Sequence, residues 1–272
     1  MQQELFYKVP KNILNKGSGF LSGYSHSLNP YTGCAYGCSF CYVRQMPVAT
    51  FREGEWGTWV DVKKGAAELL QKELTRAKRK EAVTIFMSSS TDPYQPVEHE
   101  ERITRSLLEV MVENPPDFLF VQTRSPMARR DIDLFLHLKH NIRVSMTIET
   151  DREEIRKHFT PDAPAIRGRL KTLELLKEAG VPTQATIAPL LPSSQKFPDL
   201  LKGKADRICI DDYFMGDGSG GRRTKNLGIY AKYKELGLEK WYEPMTYQKL
   251  IKRFKRVWSE EQMYVSREGF LP

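Results

Sequence analysis

Three cysteines, Cys34, Cys38 and Cys41, fall within eight consecutive residues in the stretch Thr32-Gly33-Cys34-Ala35-Tyr36-Gly37-Cys38-Ser39-Phe40-Cys41. Three thiols so close together cannot all pair with one another, and the chain has only one more, Cys209, so this is no disulfide framework. The spacing C-x3-C-x2-C points to metal or cluster ligation. Three thiolates suit an iron–sulfur cube, which normally takes one cysteine per iron; supplying three leaves one iron open to a substrate or cosubstrate. Gly33 and Gly37 let the loop wrap tightly. A zinc site completed by His26 is the other reading, although zinc motifs more often arrive as paired hooks and this chain has one.

The rest of the chain must position that loop. With 272 residues and 31.4 kDa it can bury a large core without a staple. A first strand is expected near Ser27–Tyr31, then a helix from Val62 to Lys80 and a strand from Val83 to Met87. The alternation continues. Ile103 to Met111 reads as a helix closed by Asn114-Pro115-Pro116, Phe118 to Val121 as a strand, Asp131 to His140 as a helix and Ile142 to Ile148 as a strand. Arg167 to Ala179 follows as a helix, Thr183 to Ile187 as a strand, and Arg207 to Ile210 as a last short strand. About six strands alternating with helices, in units of about 30 residues, predict an α/β fold, either a partial or full β/α barrel or a doubly wound sheet, with the barrel preferred. Its sites lie at the carboxyl ends of the strands, where the cysteine loop falls. The expected domains are an N-terminal arm over 1–27 with little secondary structure, a barrel over 28–214, and a C-terminal extension over 215–272. That extension holds a mobile glycine loop and a basic helix, Tyr247 to Trp258.

The aromatic Phe40 just before Cys41 completes a C-x3-C-x-aromatic-C that resembles the signature of the radical S-adenosylmethionine (SAM) superfamily. The resemblance implies a [4Fe-4S] cluster on Cys34, Cys38 and Cys41, with SAM bound at the open iron through its methionine amino and carboxylate groups. Reductive cleavage would then give methionine and a 5′-deoxyadenosyl radical. Leu28-Asn29-Pro30-Tyr31-Thr32-Gly33-Cys34, and Ser90-Thr91-Asp92-Pro93-Tyr94-Gln95-Pro96 with Glu98, look more closely like the spore photoproduct lyase-related branch, over residues 26–210. That branch is built as a partial (β/α)6 barrel.

Carried over residue by residue, the resemblance puts Phe40 near adenine and Ser90 near the methionine or ribose of SAM. Arg124 stands in Thr-Arg-Ser where the family has Thr-Lys-Ser, and its fork could hold the methionine carboxylate. Ser145 and Ala188 match positions beside the ribose and adenine. Each has a plainer structural reading: a turn for Ser90, an ion pair for Arg124, a core hydroxyl for Ser145. Lyases that repair spore photoproduct carry a cysteine near the end of the second strand, whereas Met87-Ser88-Ser89-Ser90 has no thiol. Cys209 is the spare candidate hydrogen donor, its plainer reading being a small buried hydrophobe. Radical generation is therefore expected with the substrate left open.

Forty-two Lys and Arg against 34 Asp and Glu give a formal charge of +8, which favours an anionic partner. The helix at 247–258 sets Leu250, Ile251, Phe254, Val257 and Trp258 on one stripe and Lys249, Lys252, Arg253 and Arg256 opposite. With Arg222, Arg223, Lys225 and the Lys72–Lys80 cations, these could grip phosphates, making nucleic acid the leading substrate class. The competing readings are a solvated charged face, a radical enzyme acting on a protein or small metabolite, and a zinc- or cluster-stabilised nucleic-acid-binding protein without turnover. A reductant such as flavodoxin or ferredoxin would deliver the electron. Mean hydropathy is −0.51, no apolar run approaches a membrane span, and Met1-Gln2-Gln3-Glu4 lacks the regions of a secretory signal, so a soluble cytoplasmic protein is expected.

Overall fold

The computed structural model describes residues 3–272; Met1 and Gln2, at the head of the expected arm, lie outside the described residues. In chain order the strands are β1 (Glu4–Lys8), β2 (Leu14–Lys16), β3 (His26–Leu28), β4 (Tyr31–Thr32), β5 (Trp59–Lys63) and β6 (Thr84–Met87). They continue with β7 (Phe118–Thr123), β8 (Ile142–Thr147), β9 (Thr183–Ile187), β10 (Arg207–Ile210) and β11 (Met263–Val265). Eight of them form an open sheet in the order β2-β3-β6-β7-β8-β9-β10-β11, parallel at every junction except β2–β3. Helices Ala66–Lys78, Ile103–Glu113, Ile132–His137 and Ile166–Glu178 fill the crossovers. β11 does not pair back onto β2, so the sheet is open, the partial form among the barrels that the strand-helix alternation allows.

Parallel strands bury both faces, and these show how. Ile85, Met87, Leu119, Val121 and Val144 point outward to Leu70, Leu74, Leu107, Leu108 and Met111 of the helices. Alternate residues point inward. Phe86, Phe120 and Cys209 meet Tyr24 and Phe270 in an aromatic plug. Ser145, Gln184 and Thr186 instead form a polar patch: Ser145 Oγ and Thr186 Oγ1 lie 2.6 Å apart, and Gln184 Nε2 donates to Thr186 Oγ1 at 2.8 Å. In register Leu28 lies beside Met87, Met87 beside Val121, Thr147 beside Thr186 and Ile187 beside Ile210. The carboxyl ends are level, and the loops that follow them converge.

A second sheet, β1-β5-β4, carries the cysteine loop, which leaves β4 and returns through β5. Here the structure departs from the sequence reading. Residues 59–63 are a strand buried against β4, and the helix expected from Val62 begins at Ala66, after Gly65 at φ +69°. The N-terminal arm is not loosely structured. β1 and β2 gain their order from long-range pairing with β5 and β3, which a short local pattern does not display. The glycine tract is also more than a loose loop, because the Asp217 carboxylate accepts the backbone N–H groups of Ser219, Gly221 and Thr224.

The basic helix runs Thr246–Phe254, and its apolar stripe docks: Leu250, Phe254 and Trp258 join the core under β8–β10. Trp258 Nε1 donates to the Pro198 carbonyl at 3.1 Å. No helix among the described residues is long and apolar enough to cross a membrane. Because Phe254 is fully buried and Lys252 exposed, Phe254→Ala should lower unfolding free energy by about 3–5 kcal/mol. Lys252→Ala should change it by less than about 0.5 kcal/mol. Urea titration of both variants checks this, and equal losses would contradict a docked stripe.

Candidate cofactor-binding site

Residues 33–41 form no helix or strand, so other segments must fix them. Gly33 sits at φ +88°, and a Cβ there would lie 2.5 Å from the Trp59 carbonyl oxygen, so only glycine fits between β4 and β5. The loop after β6 acts as a clasp. Thr91 Oγ1 and Gln95 Nε2 donate to the Gly33 carbonyl, and Gln95 Oε1 accepts from Ala35 N–H at 2.9 Å. Tyr36 donates its hydroxyl to the Tyr94 carbonyl at 3.0 Å, and Tyr42 donates its own to the Ser89 carbonyl. Arg44 closes the far side on the Gly37 and Cys38 carbonyls at 2.6 and 3.1 Å. Behind the clasp, the buried Glu98 carboxylate accepts from Tyr31 hydroxyl, from Thr104 N–H at 2.8 Å and from Arg130 at 2.6 Å. The run from Thr91 to Glu98 thus secures the cysteine loop at several points.

Cys34 and Cys38 are buried, Cys41 is half-buried, and all three are free thiols. Burial pushes every one of them up, Cys41 to about 11, and the thiols raise one another further: Cys38 acts on both Cys34 and Cys41. Arg124, just past β7, opposes this at Cys38 and Cys41. Its backbone N–H donates to Asp92 at 2.8 Å, and the same buried carboxylate accepts from Thr123 Oγ1 at 2.7 Å and Tyr94 N–H at 2.9 Å. The guanidinium gives Nε and Nη2 to Glu149 Oε1 at 3.1 and 3.0 Å, and the other Glu149 oxygen takes fully buried Arg169 at 2.7 Å. Burial works against the Glu149 charge, yet Arg169 and Arg124 hold its carboxyl below the usual range.

These residues fit an iron–sulfur cube. Thiolate ligation removes three protons and leaves negative charge in a buried place, where Arg124 offers the compensating cation. A structural zinc site would need a fourth protein donor besides the three thiols. His26, offered as the fourth zinc ligand, sits in β3 opposite Lys16, bonded to Ser25 and under the charges of Glu81 and Glu73.

The other expected site residues divide into two groups. Phe40 is buried with its ring 6.0 Å from that of Tyr213, and Ser90 is half-buried, its N–H donating to Asn29 Oδ1 at 3.0 Å. Both belong to the mouth, with Arg124. Ser145 lies deeper, fully buried and engaged with Thr186. Ala188 follows β9 and packs on the aromatic plug. Cys209 is also deep: its thiol contacts the Ser266 carbonyl at 3.5 Å and lies tight under Gly269, so hydrogen donation to a substrate requires the Ser266–Phe270 turn to lift.

Glu149, Arg169 and Asp211 escaped the sequence reading, and Asp92 was visible only as part of its motif, because nothing local marks a charged side chain that meets its partner through the fold. Asp211, just past β10, is pushed up to about 7 by burial. The folded chain therefore holds a proton there that the unfolded chain releases, so stability should fall as pH rises from the ordinary carboxylate range to about 7, then level off. Asp211→Asn should flatten that slope in urea titrations across the range; parallel profiles for the two proteins would show that Asp211 is not its source.

Comparison with known proteins identifies the family. The family model described as the Radical SAM superfamily matches residues 28–201. Uncharacterized protein MJ0683 of Methanocaldococcus jannaschii is 32% identical over 172 residues, covering 63% of this chain and 62% of its own length. Uncharacterized protein ORF301 of Acidianus two-tailed virus is 29% identical over 237 residues, covering 82% and 75%. Among solved structures, a spore photoproduct lyase mutant with bound AdoMet and dinucleoside spore photoproduct superposes with a TM-score of 0.66 at 16% identity, over 96% of this chain and 81% of that one. At that identity the likeness is one of fold.

Proposed function

This chain belongs to the radical SAM superfamily, and from that premise we propose that Cys34, Cys38 and Cys41 hold a [4Fe-4S] cluster, that SAM binds across the strand ends, and that the substrate is a nucleic acid undergoing repair or modification. The carrying observation is that three free, sheltered thiols lie on one loop after β4, clasped by the loop after β6 and under the charge of the Arg124 guanidinium just past β7. When bound, cluster and SAM together supply an electron and a cleavable C–S bond, the source of a 5′-deoxyadenosyl radical.

The chain's own residues bind, orient and exclude water. Glu149 fixes Arg124 through Nε and Nη2, so Nη1 remains for the methionine carboxylate. Ser90 offers a hydroxyl to the methionine or ribose, Phe40 a ring to the adenine, and Ser145 and Ala188 the side of the nucleoside. The aromatic plug of Phe86, Phe120 and Phe270 closes the barrel below and keeps water from a reactive intermediate. Nucleic acid is favoured by the +8 charge and by Lys249, Lys252 and Arg256, exposed on the basic helix segment whose apolar stripe is docked. The dinucleoside held by the spore photoproduct lyase of like fold agrees with it. The Met87–Ser90 stretch has no thiol, which separates the proposed reaction from one using a donor there. The free thiols suit a reducing, cytoplasmic setting with a flavodoxin- or ferredoxin-like donor.

Anaerobically reconstituted protein should carry about four irons and release 5′-deoxyadenosine from SAM under a strong reductant. Alanine at any one of Cys34, Cys38 or Cys41 should abolish that release; undiminished product from such a variant would overturn the assignment. Binding to DNA or RNA should weaken at least about tenfold between 50 and 200 mM salt. Turnover of a small metabolite or protein with no salt-sensitive nucleic-acid binding would displace the substrate reading.

A further inference from the structure

Strand β1 is the outer edge of the β1-β5-β4 sheet, outside the region the superfamily model matches, and no strand pairs with its free side among the described residues. Two hydrogen bonds fix its phase: Glu4 N–H donates to the Thr58 carbonyl at 2.8 Å, and Lys64 N–H to the Lys8 carbonyl at 2.9 Å. In a parallel ladder of that phase Glu4, Phe6 and Lys8 turn their amides toward β5, while Leu5 and Tyr7 turn theirs outward. Proteins usually blunt such edges with short strands and charge. The large sheet does so at β2, three residues long and ending in Lys16. β1 is five residues long and carries Leu5, Phe6 and Tyr7 at 38%, 38% and 56% exposure.

We propose that β1 pairs antiparallel with β1 of a second copy about a two-fold axis at Phe6, joining the two small sheets into one. Leu5 then faces Tyr7 of the other copy, and both offer outward amides, as a hydrogen-bonded antiparallel pair requires. Phe6 faces Phe6 in the closer, non-hydrogen-bonded position. Glu4 faces Lys8 twice, once on each side of the axis. This charge palindrome selects the register: moving the axis to Leu5 or to Tyr7 would set Glu4 or Lys8 against Phe6 and lose both ion pairs. Lys8 is half-exposed even while holding Asp61 at 2.6 Å, so it can serve both carboxylates.

Sedimentation equilibrium of the full chain at micromolar concentrations should show a dimer. Leu5→Pro removes an outward amide and leaves the bonds to β5 in place; it should raise the dimer dissociation constant at least about tenfold. Glu4→Lys alone should be monomeric, with lysines facing lysines, and so should Lys8→Glu, whose Asp61 neighbour keeps Arg52 at 3.1 Å. Mixing these two variants should give a heterodimer, because each then meets its opposite charge, and that association also shows that both fold. A full chain that stays monomeric, a dimer indifferent to Leu5→Pro, or charge variants that do not associate when mixed would each overturn the proposal.

Discussion

A loop has no backbone ladder of its own, so three thiols on one are only as well placed as the groups that hold its amides and carbonyls. Here most of those groups come from a single neighbouring segment, with Arg44 and the Phe159 carbonyl, which accepts from Ser39 N–H at 3.0 Å, holding the far side. Thr91 and Gln95 take both the carbonyl and the amide side of the Gly33–Ala35 turn, Tyr94 receives the Tyr36 hydroxyl, and Glu98 ties the segment to β4 through Tyr31. The barrel matters to the site mainly because pairing β3 with β6 puts the start of the cysteine loop next to the start of its clasp.

Charge is ordered in the same manner. Asp92 grips the backbone at Arg124, Arg124 grips Glu149, and Glu149 is shared with Arg169 from the helix behind β8. Each burial is costly alone, and each is offset by the next partner. The result is a cation whose charge bears on the thiols, held by residues on three other segments.

The strand-helix alternation and the cysteine spacing were readable because both are local: periods of two and 3.6, and three cysteines within eight residues. Strand β5 was not. Its Val62 also fits the helical period that follows, and only pairing with distant residues, Tyr31 on one side and Tyr7 on the other, decides the matter. β1 and β2 were missed for the same reason. At the site, the Thr91–Glu98 run was visible as a pattern, but its purpose was not, since it lies nearly 60 residues from the loop it holds, as the separation of Ala35 and Gln95 shows. Ser88, at φ +74° with a buried hydroxyl lacking any partner, has no signal at all within a run of three serines.

The Gln95 amide that spans Gly33 and Ala35 is uncharged and needs no iron to form its bonds. The backbone under Cys34 is thus fixed by neutral donors and acceptors alone, so its placement is insensitive to pH across the range in which the carboxylates around it titrate.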